Sequence, residues 1–170
     1  MNYGLIEDDI VARLSALKDT QDGLVVLACP EVESEFKVPF KDIRITVSYS
    51  QSDFVGNRNS NDMPSMATDA VVQNEMIEIA IEIQSRKLRG EVGVYTIYER
   101  VRLLLLGYRP LGEYMDAIKF KSFKLDDYSA SIWTAILVVT TACRVVSNFD
   151  DDESGLPLVT SITTEDNYIS

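Results

Sequence analysis

Met76-Ile77-Glu78-Ile79-Ala80-Ile81-Glu82-Ile83-Gln84 opens the stretch that decides the fold, which runs on to Pro110. Its odd positions Ile77, Ile79, Ile81 and Ile83 are apolar, and Glu78, Glu82 and Gln84 at even positions are polar. Side chains alternate across a strand, so the segment predicts a long strand with one buried and one wet face. Ser85-Arg86-Lys87-Leu88-Arg89-Gly90 breaks that period. A helical period replaces it, with Val94, Ile97, Tyr98, Val101, Leu104 and Leu105 on one stripe. Gly107 stands where a helix C-terminal cap belongs, and Pro110 prevents resumption. The unit reads as a strand–turn–helix platform with no recognisable catalytic group.

Working outward on the N-terminal side, Ile6, Ile10, Leu14 and Leu17 recur at helical spacing and predict a helix over residues 3–18. Glu7, Asp8 and Asp9 are read as first-turn acids that complement the helix dipole. Asp22-Gly23 signals a turn, Leu24 to Ala28 a short strand, and Pro30 its end. Residues 31–41 are polar and irregular. Asp42 to Tyr49 alternates as a second strand, with Ile43, Ile45, Val47 and Tyr49 on one face. Ser50 to Asp69 is polar and glycine- and asparagine-rich, and is expected to form a long loop. Such a loop is either a plain hairpin tip or a segment that orders against a partner. Asp53, Phe54, Arg58, Asn59, Met63 and Met66 are its candidate contact residues.

On the C-terminal side, residues 108–118 connect to a strand near 117–125. Ser131 to Ser147, rich in β-branched residues and carrying Trp133, predicts the last strand. From Asn148 the chain turns acidic at Asp150-Asp151-Asp152-Glu153 and then threonine- and serine-rich. The expected organisation is an α+β domain over 1–147 and an acidic linker and polar C-terminal tail over 148–170. The domain is expected to hold a mostly antiparallel sheet of about four strands, with helices packed on one face.

Composition narrows the function classes. A chain of 170 residues, 46% hydrophobic and 25% charged, is ordinary for one globular domain. It contains no histidine, which removes serine–histidine and cysteine–histidine catalysis and the commonest metal ligand. Cys29 and Cys143 form no paired motif and are expected to be buried, reduced thiols. The net charge of −11 opposes sequence-independent DNA binding, without excluding a channel through which DNA passes without sticking. No apolar run reaches the ~20 residues that span a bilayer. The acidic start does not resemble a secretory signal, so an intracellular, soluble product is expected.

Individual residues carry two readings each. Arg86 and Arg89 are either solvated turn residues or intersubunit ion-pair partners. Gly90 and Gly93 suit backbone geometry or close packing, because the spacing matches no phosphate-binding pattern. Glu78 and Glu82 are either a wet sheet face, a subunit or lumen surface, or a carboxylate pair for a hydrolase. No nucleophile motif accompanies them. The run at 150–153 lacks the alternating ligand spacing of a calcium loop. No cofactor and no metal are expected.

Arg86-Lys87-Leu88-Arg89-Gly90-Glu91-Val92-Gly93-Val94-Tyr95, continuing to Leu106-Gly107-Tyr108-Arg109-Pro110, resembles the tail-terminator proteins of Mu-like and related contractile-tailed phages. The order of elements over 1–147 is similar to that family, and the specific motif covers 86–110. The resemblance implies a structural, non-enzymatic virion protein at the tail–neck junction, assembled in the host cytoplasm as a homohexameric ring. It implies contact with the tail tube protein, with a head-to-tail connector or stopper, and with the tail sheath, while DNA passes through the lumen. The alternative from the same apparatus is a head-completion stopper or another neck ring protein.

Overall fold

A computed structural model describes residues 2–29, 42–56, 71–129 and 131–147. The chain forms helix α1 (Tyr3–Ser15), strands β1 (Leu24–Ala28), β2 (Ile43–Gly56) and β3 (Val71–Ser85), helix α2 (Val94–Leu105), and strands β4 (Lys119–Ser129) and β5 (Ile132–Ser147). The sheet has five strands in the order β1-β2-β3-β5-β4. All pairs are antiparallel except β1 with β2. The expected sheet of about four strands thus has one more, because Leu24 to Ala28 is a full member of the ladder.

Register follows from burial. Ile43, Ile45 and Val47 on β2, the four isoleucines of β3, and Ala135, Leu137 and Val139 on β5 share one face and are fully buried. Both helices cover that face. Ile6, Ile10 and Leu14 of α1 and Val94, Ile97, Val101 and Leu105 of α2 join the same core. A fully buried Ile or Leu side chain contributes about 1.5–3 kcal/mol. Three of them outweigh the marginal stability of an isolated 13-residue helix, so packing holds α1 in place.

Asn2 caps α1, its side chain accepting from the Gly4 N–H at 3.0 Å. Glu7, Asp8 and Asp9 therefore lie beyond the first turn, not in it. Two of them act on other elements instead. Glu7 Oε1 accepts the Tyr49 N–H on the outer edge of β2. Asp9 Oδ2 accepts from the Tyr108 hydroxyl at 2.6 Å and the Leu111 N–H at 3.0 Å. The end of the expected 3–18 helix tightens into a 3₁₀ turn over Ala16–Asp19.

β2 runs seven residues past Tyr49, through a bulge between Tyr49 and Gln51. Asp53 and Phe54 accordingly sit in a strand, paired with Met76 and Glu75, and not in a loop. Polar residues on the outer face of a ladder hid that extension from hydrophobic alternation. Arg58, Asn59, Met63 and Met66, the connection over 31–41, and the segment 148–170 lie outside the described residues.

Candidate functional site

The surfaces that can act are built by the platform turn, by the uncovered face of the sheet and by exposed apolar side chains. Ser85 organises the turn. Its buried hydroxyl donates to the Val92 carbonyl at 2.7 Å and accepts the Lys87 N–H at 3.1 Å. The Val94 and Gly93 N–H groups donate back to the Lys87 and Gly90 carbonyls, each at 3.0 Å. Gly90 has φ +88°, which glycine adopts without strain. Gly93 serves a different need: a Cβ there would lie 2.5–2.7 Å from backbone atoms of Arg89. On this braced turn Arg86, Lys87 and Arg89 are exposed, and none has an ion pair or hydrogen-bonded side chain among the described residues. Ser85 was not singled out from sequence, since a serine ending a strand carries no distinctive signal.

Helix α2 is flanked by Gly93 at its N-cap and Leu106 at its C-cap, with Gly107 at φ +73° and Pro110 buried beyond it. Its inner side is core. Tyr98 stacks on Phe123 of β4 at 3.9 Å between ring centroids. Its outer side exposes Tyr95, Leu103 and Leu106, the two leucines at 71% and 65%, beside an exposed Arg102–Glu99 pair at 3.7 Å. The Arg100 Nη1 atom is buried without a hydrogen-bond partner among the described residues.

Neither helix covers the opposite face of the sheet. Glu78 receives the Lys121 ammonium, which with its charge holds the carboxyl below the usual range. Glu82 accepts from the Gln84 amide, whose oxygen in turn accepts the Arg44 Nε–H at 2.9 Å. Both carboxylates are thus engaged within their own chain, separated along β3 by Ala80. Met76 is exposed on this face towards the far end of β3, whereas Phe54, paired with Glu75, is exposed at 59% on the other face at the far end of β2.

A buried carboxylate also lies at that end. Glu75 is 2% exposed, accepts the Tyr3 hydroxyl at 2.6 Å, and lies 3.7 Å from the Cys143 sulfur. Tyr3 stacks on Tyr49 at 4.3 Å. Burial, then the Glu75 charge, pushes the Cys143 thiol up. The hydrogen bond to Glu75 raises the Tyr3 phenol. Glu75 precedes the isoleucine alternation by one period, so its inward face was readable in register though not in residue type. The expectation of two buried thiols holds for Cys143 and fails for Cys29, which is exposed just past the end of β1. Both are free.

Comparison with known proteins adds two findings. The family model described as Gp37 protein matches residues 10–166. In a solved structure, a chain of the virion of a native gene transfer agent (GTA) particle has a similar fold, at a TM-score of 0.54 and 12% identity, covering 84% of this chain and 97% of that one. At that identity the likeness is one of fold. No curated protein matches the chain.

Proposed function

The chain belongs to the Gp37 protein family, and from that premise we propose that it is a structural virion protein, without enzymatic activity, that ends tail growth. Six copies form a ring on the last layer of the tail tube. One face of the ring binds tube protein and, in a contractile tail, the rim touches the sheath. The other face receives the head-to-tail connector, and DNA passes through the lumen.

The observation that carries this reading is the near full-length fold likeness to a chain of an assembled virion particle. Three features support it. The platform turn offers three cations without ion-pair partners among the described residues on a rigid support, the means of contact without chemistry. Exposed apolar side chains at separate places, Leu103 and Leu106 at the end of α2 and Phe54 and Met76 on opposite faces at the far end of the sheet, suit a heterologous contact repeated around an axis. No histidine is present to serve as a general base.

Microscopy of particles assembled without the protein tests the role. Overlong tails are the expected result. Tails of normal length on heads that leak DNA would assign it to a stopper instead. Sedimentation that finds only monomer, both alone and with tube protein, would overturn the ring.

A further inference from the structure

The charge of this chain is unevenly placed. Residues 86–109 carry six cations (Arg86, Lys87, Arg89, Arg100, Arg102, Arg109) against Glu91 and Glu99, a net +4 within a chain of −11. Residues 148–170 carry six carboxylates and no lysine or arginine, four of them consecutive at Asp150-Asp151-Asp152-Glu153. The family match extends to residue 166 and so spans this stretch.

Sheet geometry separates the two within one molecule. β5 ends at Ser147, which pairs with Val71 at one end of β3, whereas the basic turn leaves the other end at Ser85. The fourteen steps between them span roughly 46 Å at ~3.3 Å per residue. From Ser147 to Glu153 the chain can reach at most about 22 Å. The acidic run cannot touch the basic turn of its own copy. It can touch that of another.

We infer that Asp150-Asp151-Asp152-Glu153 of one copy docks on the Arg86, Lys87 and Arg89 turn of the next. The inference rests on the ring reading and names the contact that links its subunits. The turn is already ordered by Ser85, Gly90 and Gly93, so binding orders only side chains there. The arginines present planar forks that match carboxylates. The contact is head-to-tail, since the surfaces are different and lie at opposite ends of the sheet. Nucleic acid is the poorer occupant, because the rest of an acidic chain would repel it.

Two full-length variants test this by sedimentation velocity: one with Arg86→Glu and Arg89→Glu, the other with Asp150→Lys, Asp151→Lys and Asp152→Lys. Each alone is expected to need roughly tenfold or more protein to assemble, with unchanged far-ultraviolet dichroism. An equimolar mixture is expected to reassemble, because each chain then meets a complementary neighbour. Variants that assemble like the parent, or a mixture no better than either alone, would overturn the contact. A parent ring that caps tubes in either case leaves the proposed function standing. A parent that stays monomeric alone and with tube protein overturns both.

Discussion

Tyr108 donates its hydroxyl to Asp9 at 2.6 Å, joining the residue after the Gly107 cap to the middle of the first helix. The Leu111 N–H reaches the same Asp9 oxygen at 3.0 Å, and the Arg13 guanidinium lies 5.2 Å over the Tyr108 ring. One carboxylate thereby fixes both the exit from α2 and its packing on α1. Asp9→Ala removes the acceptor from a half-buried phenol and a backbone N–H together. We expect a loss of about 1–3 kcal/mol in urea unfolding, against less than about 0.5 for Asp8→Ala on the exposed side.

The same relationship sets an alkaline limit. Burial, with Asp9 adding to it, pushes Tyr108 up to about 12 from an ordinary 10. A phenol raised in the folded state keeps its proton where the unfolded chain has lost it. Its contribution to stability is complete below about pH 10 and is lost as pH rises from 10 through 12. Tyrosinate absorbance should show this group ionising late, and Tyr108→Phe should flatten the fall in stability across that window. An unaltered slope would separate Tyr108 from the alkaline transition.

Two glycines predict different penalties. At Gly107 a Cβ meets nothing within 4 Å, so Gly107→Val carries the cost of φ +73° alone, about 1–2 kcal/mol and a few degrees in melting temperature. At Gly93 the backbone angle is ordinary, at φ −82°, but the Cβ would overlap Arg89. Gly93→Ala should therefore destabilise more than Gly107→Ala, because the basic turn must open. The reverse order would mean that the turn yields more readily than its hydrogen bonds imply.

At the far end of β3, Tyr3→Phe leaves the Glu75 carboxylate buried without its phenol donor. A loss of about 1–3 kcal/mol is expected. Glu75→Gln on that background should restore part of it, because a neutral amide is cheaper to bury. A double-mutant cycle with no coupling between positions 3 and 75 would remove the pair as a tie between α1 and the sheet.

The thiols should separate kinetically. Cys29 is exposed and should react with a disulfide reagent in the native protein. It should be slower than a free thiol, since partial burial, then Glu7 and Glu82, raise its pKa. Cys143 is buried beside Glu75 and should react only as the protein unfolds. Equal rates at both sites would contradict that burial.

The platform was legible because two periods, first of two and then of 3.6, sort its side chains before any tertiary contact exists. Ile77 to Ile83 and Val94 to Leu105 entered the core as their spacing required. The distal half of β2 was hidden, because Gln51, Ser52 and Asp53 have the composition of a loop and are strand only through pairing with β3. Glu7 and Asp9 were misread for a related reason. A helix dipole is visible in one element, whereas their partners Tyr49, Tyr108 and Leu111 lie 42 to 102 residues away. Of the candidate contact residues, Arg86 and Arg89 could be recognised as charges on a turn. Ser85, which braces that turn, could not, because its role exists only once Lys87 and Val92 close around it.

The position of β5 between β3 and β4 has a consequence for biogenesis. The inner edges of both neighbours stay bare until the last strand is made, so a nascent chain lacks the strand that joins β4 to the rest of its sheet until residue 147 has left the ribosome. Pairing over such sequence separations makes for slow folding and a long aggregation-prone interval. A truncation within β5 should accordingly fail to yield a smaller soluble unit, and expression at low temperature, or with a holdase, should raise recovery of the intact chain.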